Sequence, residues 1–148
     1  MNARLTKSVM FLISHSTGGG VQEVWADLAE GFRERGYATH LTALYPGEGT
    51  VQTTSAQIPW TYIVERKPTT PWALAATVAA LARYIAVHRP STVFTAMPAA
   101  NVLAPLAAAL SRIGVTVAIS HHSPAHTHSR LLRVVDGLTG CFKSVGAV

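Results

Sequence analysis

Residues 9–47 read VMFLISHSTGGGVQEVWADLAEGFRERGYATHLTALYPG, and the order of patterns within them decides the fold. Val9 to Ile13 is a continuous apolar run, as expected of a strand covered on both faces near the middle of a parallel sheet. His15-Ser16-Thr17-Gly18-Gly19-Gly20 interrupts it. Beyond Gly20, the residues Val21, Val24, Trp25, Leu28, Ala29 and Phe32 recur at helical spacing, while Gln22, Glu23, Asp27, Glu30 and Glu34 take the other positions. This predicts an amphipathic helix that ends near Gly36. Thr39 to Tyr45 then forms a second strand, closed by the turn-forming Pro46-Gly47-Glu48-Gly49.

The same alternation continues along the chain. A short strand is expected near Thr61 to Val64, and Thr70 with Pro71 supplies the cap and first position of a helix running through Trp72 to His88. Pro90 ends that helix. A strand at Thr92 to Thr95, a helix from about Ala99 to Ser111 and a β-branched strand at Val115 to Ile119 follow, then a short helix at Leu131 to Leu138 and a last strand at Cys141 to Val148. Strands alternating with helices specify an α/β fold with a doubly wound parallel sheet. The 148 residues fit one domain, long enough to bury ~70% of its unfolded surface.

With 49% hydrophobic and 13% charged residues, the chain is greasier than an average soluble domain and far from a disordered composition. Its net charge of +5 is spread over single residues such as Arg33, Lys67, Arg83 and Arg130, with no basic run of the kind that tracks nucleic acid. A mild positive field favours phosphorylated substrates or an anionic membrane surface. Cys141 is the single cysteine, so no internal disulfide forms and a reducing, cytoplasmic setting is compatible. The apolar stretch 96–110 is broken by Pro98, Asn101 and Pro105 and is shorter than a bilayer span.

Chemistry is expected at the carboxyl ends of the strands. The glycine loop suits close approach of a phosphate or sugar hydroxyl to the backbone and to the N-terminus of the helix that follows. It lacks the glycine spacing of a dinucleotide fingerprint, since the sixth position from Gly18 is Glu23, and no Gly-Lys-Ser/Thr makes it a Walker loop. Without a ligand it reads as a permissive turn. After the fifth strand comes Ser120-His121-His122-Ser123-Pro124-Ala125-His126-Thr127-His128. Pro124 opposes the helix that would put His122 and His126 on one face as metal ligands, so no metal is expected. The loop is either a polar surface segment or the carrier of a histidine that hydrogen-bonds substrate in a cleft.

Taken together, the 11–47 stretch, the later HRPSTVFTAMPAANVLAPLAA and the VAISHHSPAHTHSRLLR segment resemble the opening half of family 4 glycosyltransferases over essentially the whole chain. The resemblance implies a Rossmann-like domain, the N-terminal acceptor-side half of a GT-B fold, and transfer of a sugar from a nucleotide-sugar donor to a glycan or lipid-linked acceptor. It also implies retention at the anomeric carbon and no obligatory metal or other cofactor. The lone cysteine and the mild positive charge give the expected location: cytoplasmic, peripheral on the inner membrane face. By position, Gly18, Gly19 and Gly20 would face the donor diphosphate or the transferred sugar, and the loop histidine maps best to His122, with His121 a close second. His15, Asn101, His126 and Arg130 are the acceptor-side candidates.

Gln22 stands where the family often has an acid, and Phe94 and Ala96 stand where histidines are common. No glutamates lie eight positions apart as in the donor half, so a partner domain or chain is expected to supply that half and this chain alone is expected to be inactive. Two other readings remain open at this level: a non-catalytic module that binds an acceptor or lipid carrier, and an unrelated flavodoxin-like nucleotide binder.

Overall fold

A buried strand must pass its backbone hydrogen bonds to neighbours on both sides, and among the described residues five strands meet that demand. The computed structural model describes residues 7–16, 20–47 and 58–120. Strands β1 (Ser8–His15), β2 (Ala38–Tyr45), β3 (Thr61–Tyr62), β4 (Thr92–Ala96) and β5 (Thr116–Ser120) form one sheet in the order β3-β2-β1-β4-β5. Every neighbouring pair is parallel. Helices α1 (Gly20–Glu34), α2 (Pro71–His88) and α3 (Pro98–Ser111) provide the long crossovers that parallel pairing requires. This is the strand order of a Rossmann half-sheet, not the 2-1-3-4-5 order of flavodoxin-like sheets, so the flavodoxin-like alternative is set aside. The expected elements over 131–148 lie outside the described residues.

As the apolar run predicts, β1 is central, and its period of two divides the core into two layers. Met10 and Leu12 join Leu44, Leu81, Ile85, Val93 and Leu103 on the side of α2 and α3. Val9, Phe11 and Ile13 join Trp25, Ala26, Ala29 and Leu41 on the side of α1. Phe11 is the hub of the second layer, stacked on Phe94 at 5.1 Å and meeting Phe32 and Trp25 edge-on at 5.6 and 6.0 Å.

Helix α1 differs from its predicted face. Trp25 and Ala29 are buried, but so are Gln22 and Ala26, whereas Val24 and Leu28 stay 48% and 43% exposed. The helix is rolled so that Gln22 faces inward, a position its side chain can occupy because it finds a hydrogen-bond partner there. Helix α2 follows its sequence signals closely. Thr70 Oγ1 accepts from the Ala73 amide at 3.1 Å, Pro71 opens the helix, and Arg89 closes it in the left-handed region ahead of Pro90. Strand β3 has only two residues by its ladder, yet the Ile63 and Val64 amides continue to donate to the carbonyls of Ala43 and Leu44. Among the described residues, no helix is long and apolar enough to cross a membrane.

Candidate functional site

The crossover from β1 leads outward to β2 and the one from β4 leads the opposite way to β5, so the sheet has its topological switch point between two adjacent strands. Ligands of open parallel sheets bind in the crevice that this divergence leaves at the carboxyl edge. Here the crevice lies between Ser14–Ser16 at the end of β1 and Ala96–Met97 at the end of β4.

Its floor is built from polar side chains on buried backbone. Met97, the N-cap of α3, has φ 75° and ψ 148° and offers no side-chain cap. That conformation suits glycine and costs a residue with a Cβ about 1–3 kcal/mol. The missing cap comes from another strand, because buried Ser14 Oγ accepts from the Ala100 amide at 3.0 Å. Next to it, Thr95 Oγ1 donates to Asn101 Oδ1 at 2.8 Å, and Asn101 Nδ2 donates to the Ser120 carbonyl at 3.1 Å. One amide therefore ties together the end of β4, the first turn of α3 and the last residue of β5.

Asn101 was expected on the acceptor side, but the structure places it 5% exposed with both ends of its amide engaged by the protein. Its position is beneath the crevice, holding the strand end from which the histidine loop departs. Asn101→Ala is expected to lower unfolding stability by about 1–3 kcal/mol, since it takes the acceptor of the fully buried Thr95 hydroxyl away. The midpoint of urea unfolding checks this; a shift equivalent to less than about 0.5 kcal/mol contradicts it.

The other wall is the edge formed by β1, β2 and β3. The His15 ring lies against Tyr45 at 6.0 Å, tilted by 35°. Burial, and secondarily the Lys67 ammonium, push its pKa below the ordinary value of 6.5. At neutral pH His15 is therefore uncharged, with one ring nitrogen to donate and one to accept, which is the pairing a sugar hydroxyl can use. Ser16 Oγ and the Tyr62 hydroxyl are hydrogen-bonded at 2.8 Å. Burial also raises the Tyr45 phenol above its usual range, so it stays a donor at neutral pH.

Of the three loop glycines, Gly20 is described. It opens α1, is exposed, and has nothing within 4 Å of where a Cβ would stand. Gln22 Nε2 reaches back to the His15 carbonyl over a long 3.4 Å, closing the loop at its base. An acid at this position has no N–H to give that carbonyl, which accounts for the buried amide. Gly18 and Gly19 lie outside the described residues, as do His121, His122, His126 and Arg130. Among the described residues, no group of three or more His, Cys, Asp or Glu side chains could hold a metal ion.

The structure thus brings His15 and Gly20 to the crevice and Asn101 beneath it. Sequence reading missed Ser14, Ser16, Tyr45, Tyr62 and Lys67. The signal available was local: polar or aromatic residues at or just after the ends of three successive strands, the position where open sheets bind ligands.

The glycosyltransferase family 4 sequence model matches residues 18–140. No curated protein sequence matches the chain. Among solved structures, the chain resembles the apo form of a lipopolysaccharide outer core galactosyltransferase, WaaB, with a TM-score of 0.72 and 11% identity. The superposition covers 92% of this chain and 37% of that one. At such identity the likeness bears on fold alone, and the matched fold is GT-B. On the family match over most of its length, together with this sheet, the chain belongs to glycosyltransferase family 4, as its N-terminal Rossmann-like GT-B domain.

Proposed function

We propose that this chain forms the acceptor-side wall of a retaining glycosyltransferase that moves a sugar from a nucleotide-sugar donor to a glycan or lipid-linked acceptor. The supporting observation is the switch-point edge of the sheet, where His15, its pKa lowered by burial, and the start of α1 stand at the same carboxyl edge as the end of β5, after which the histidine segment follows in sequence. In the reaction, the acceptor oxygen bonds to the anomeric carbon as the carbon–phosphate oxygen bond breaks, and the acceptor proton leaves with the nucleoside diphosphate. His122, with His121 next to it, is assigned contact with the transferred sugar, and Gly18, Gly19 and Gly20 the approach to the diphosphate. His15, His126 and Arg130 are assigned to the acceptor. No metal is required in this scheme, because amides and histidines address the ligand directly.

A second wall must grip the nucleotide, since charge neutralisation and positioning act from both sides of a cleft. A further domain or a partner chain provides it, and the chain by itself turns over negligibly. The setting is the cytoplasmic face of a membrane, reached peripherally. The test is a transfer assay with a panel of UDP- and GDP-sugars, using this chain joined to a family 4 donor half. Sugar transfer with retained anomeric configuration is expected; neither transfer nor hydrolysis with any donor contradicts the reading. A saccharide bound without any transfer would instead support the non-catalytic module.

A further inference from the structure

At the β1–β2–β3 edge, several side chains converge whose placement the fold does not require. Tyr62 ends β3 with 43% of its surface exposed, and its hydroxyl is held by Ser16 at 2.8 Å, which fixes how the ring is presented. On the neighbouring strand Tyr45 ends β2, two positions beyond Ala43, the residue in register with Tyr62, and lies against the ring of His15. Lys67, five residues past Tyr62 in sequence, lies near enough to His15 for its charge to be felt there. Among the described residues Lys67 makes no ion pair, with Glu65 on the same segment or with any other acid.

These groups match one ligand chemistry. A hexose shows a face of C–H bonds and a rim of hydroxyls, so it suits an anchored aromatic ring beside neutral donors and acceptors. An ammonium without a carboxylate partner adds a preference for negative charge. We propose that this edge is a subsite for an anionic saccharide: the sugar ring stacks on Tyr62, His15 and Tyr45 address its hydroxyls, and Lys67 holds its phosphate or carboxylate. The inference rests on the glycosyl-transfer reading and narrows the acceptor to charged glycans.

The test is an NMR titration of the 148-residue chain at pH 7 and constant ionic strength, following the tyrosine and histidine ring signals. The probes are glucose 1-phosphate, glucuronic acid, glucose and inorganic phosphate. One or both anionic sugars are expected to shift the Tyr62, Tyr45 and His15 signals and to bind about tenfold tighter than glucose. Comparison of the two identifies the anion. Lys67→Gln is expected to erase the preference over glucose, and Tyr62→Ala to weaken binding about tenfold. Tyr62→Phe keeps the ring and is expected to stay within about threefold of the parent. Unchanged methyl signals from Leu12 and Leu81 in the core show that the variants are folded.

Glucose binding as tightly as both anionic sugars overturns the proposal. So does inorganic phosphate shifting the same signals as strongly as glucose 1-phosphate, which marks a bare anion patch. Sugar transfer by the joined enzyme without any shift at Tyr62 sinks the subsite and leaves the transferase reading standing. Saccharide binding at Tyr62 without transfer does the reverse.

Discussion

Phe11→Ala is expected to cost about 3–5 kcal/mol of unfolding free energy, the range for truncating a fully buried phenylalanine. Phe11 is 1% exposed on the central strand, and three rings converge on it from α1 and β4. Truncation therefore removes the area of one side chain and also the aromatic pairing of three others, each pair adding about 0.5–1.5 kcal/mol beyond burial. A domain of this size has about 5–15 kcal/mol in total, so about a fifth or more is at stake. Urea denaturation of the parent, Phe11→Ala and Phe11→Leu checks it. The leucine variant, which keeps most of the volume, is expected to lose less than half as much. Equal, small losses for both would mean that the layer under α1 is not packed around this ring.

The second large effect concerns chemistry. In this chain joined to a donor half, His122→Ala is expected to lower kcat by about 10²–10³-fold, the usual cost of removing one hydrogen-bond donor aimed at the reacting centre. KM for the donor is expected to move little, because a contact that strengthens only in the transition state acts on kcat. His121→Ala serves as the neighbouring control, with a smaller loss. If the two losses are reversed, the cleft-facing role belongs to His121; if neither variant slows transfer, the assignment of the loop is wrong.

Much of the architecture was legible because the elements that matter carry strong local signals. The continuous run at Val9–Ile13 marks a strand covered on both sides, and β1 is central. Thr70-Pro71 and Pro90 bracket α2 because cap geometry and proline chemistry act within a few residues of sequence. What escaped was tertiary. The burial of Gln22 depends on a carbonyl seven residues back, and helical periodicity holds no information about that partner. Asn101 was an acceptor-side candidate by its position in the family resemblance, which carries no information about what its amide touches. Its real partners, Thr95 and Ser120, come together only once β4 and β5 pair. Likewise Ser16 and Tyr62 are 46 residues apart and meet only because β2 lies between their strands.

The site was legible in part for the same reason. The glycine loop announces itself by composition, and His15 follows directly from the strand end, so both could be found from the chain alone. The aromatic edge was legible only as polar and aromatic residues at strand ends; that Tyr45 and Tyr62 share one edge depends on β3 pairing with β2, which their sequence separation does not announce. Met97 was equally invisible: a left-side backbone angle at a non-glycine residue is imposed by the turn from β4 into α3, with Ser14 supplying the cap that Met97 does not.

The division of labour between this chain and a second wall is tested most directly by calorimetric titration with UDP- and GDP-sugars. The chain is titrated alone and then joined to a family 4 donor half. If this domain serves the acceptor and approaches only the diphosphate through its glycine loop, the isolated chain gives no measurable saturation with any nucleotide sugar, and the joined protein binds one of them tightly. Binding by the isolated chain as tight as by the joined protein would place the nucleotide grip within these 148 residues and contradict the assignment.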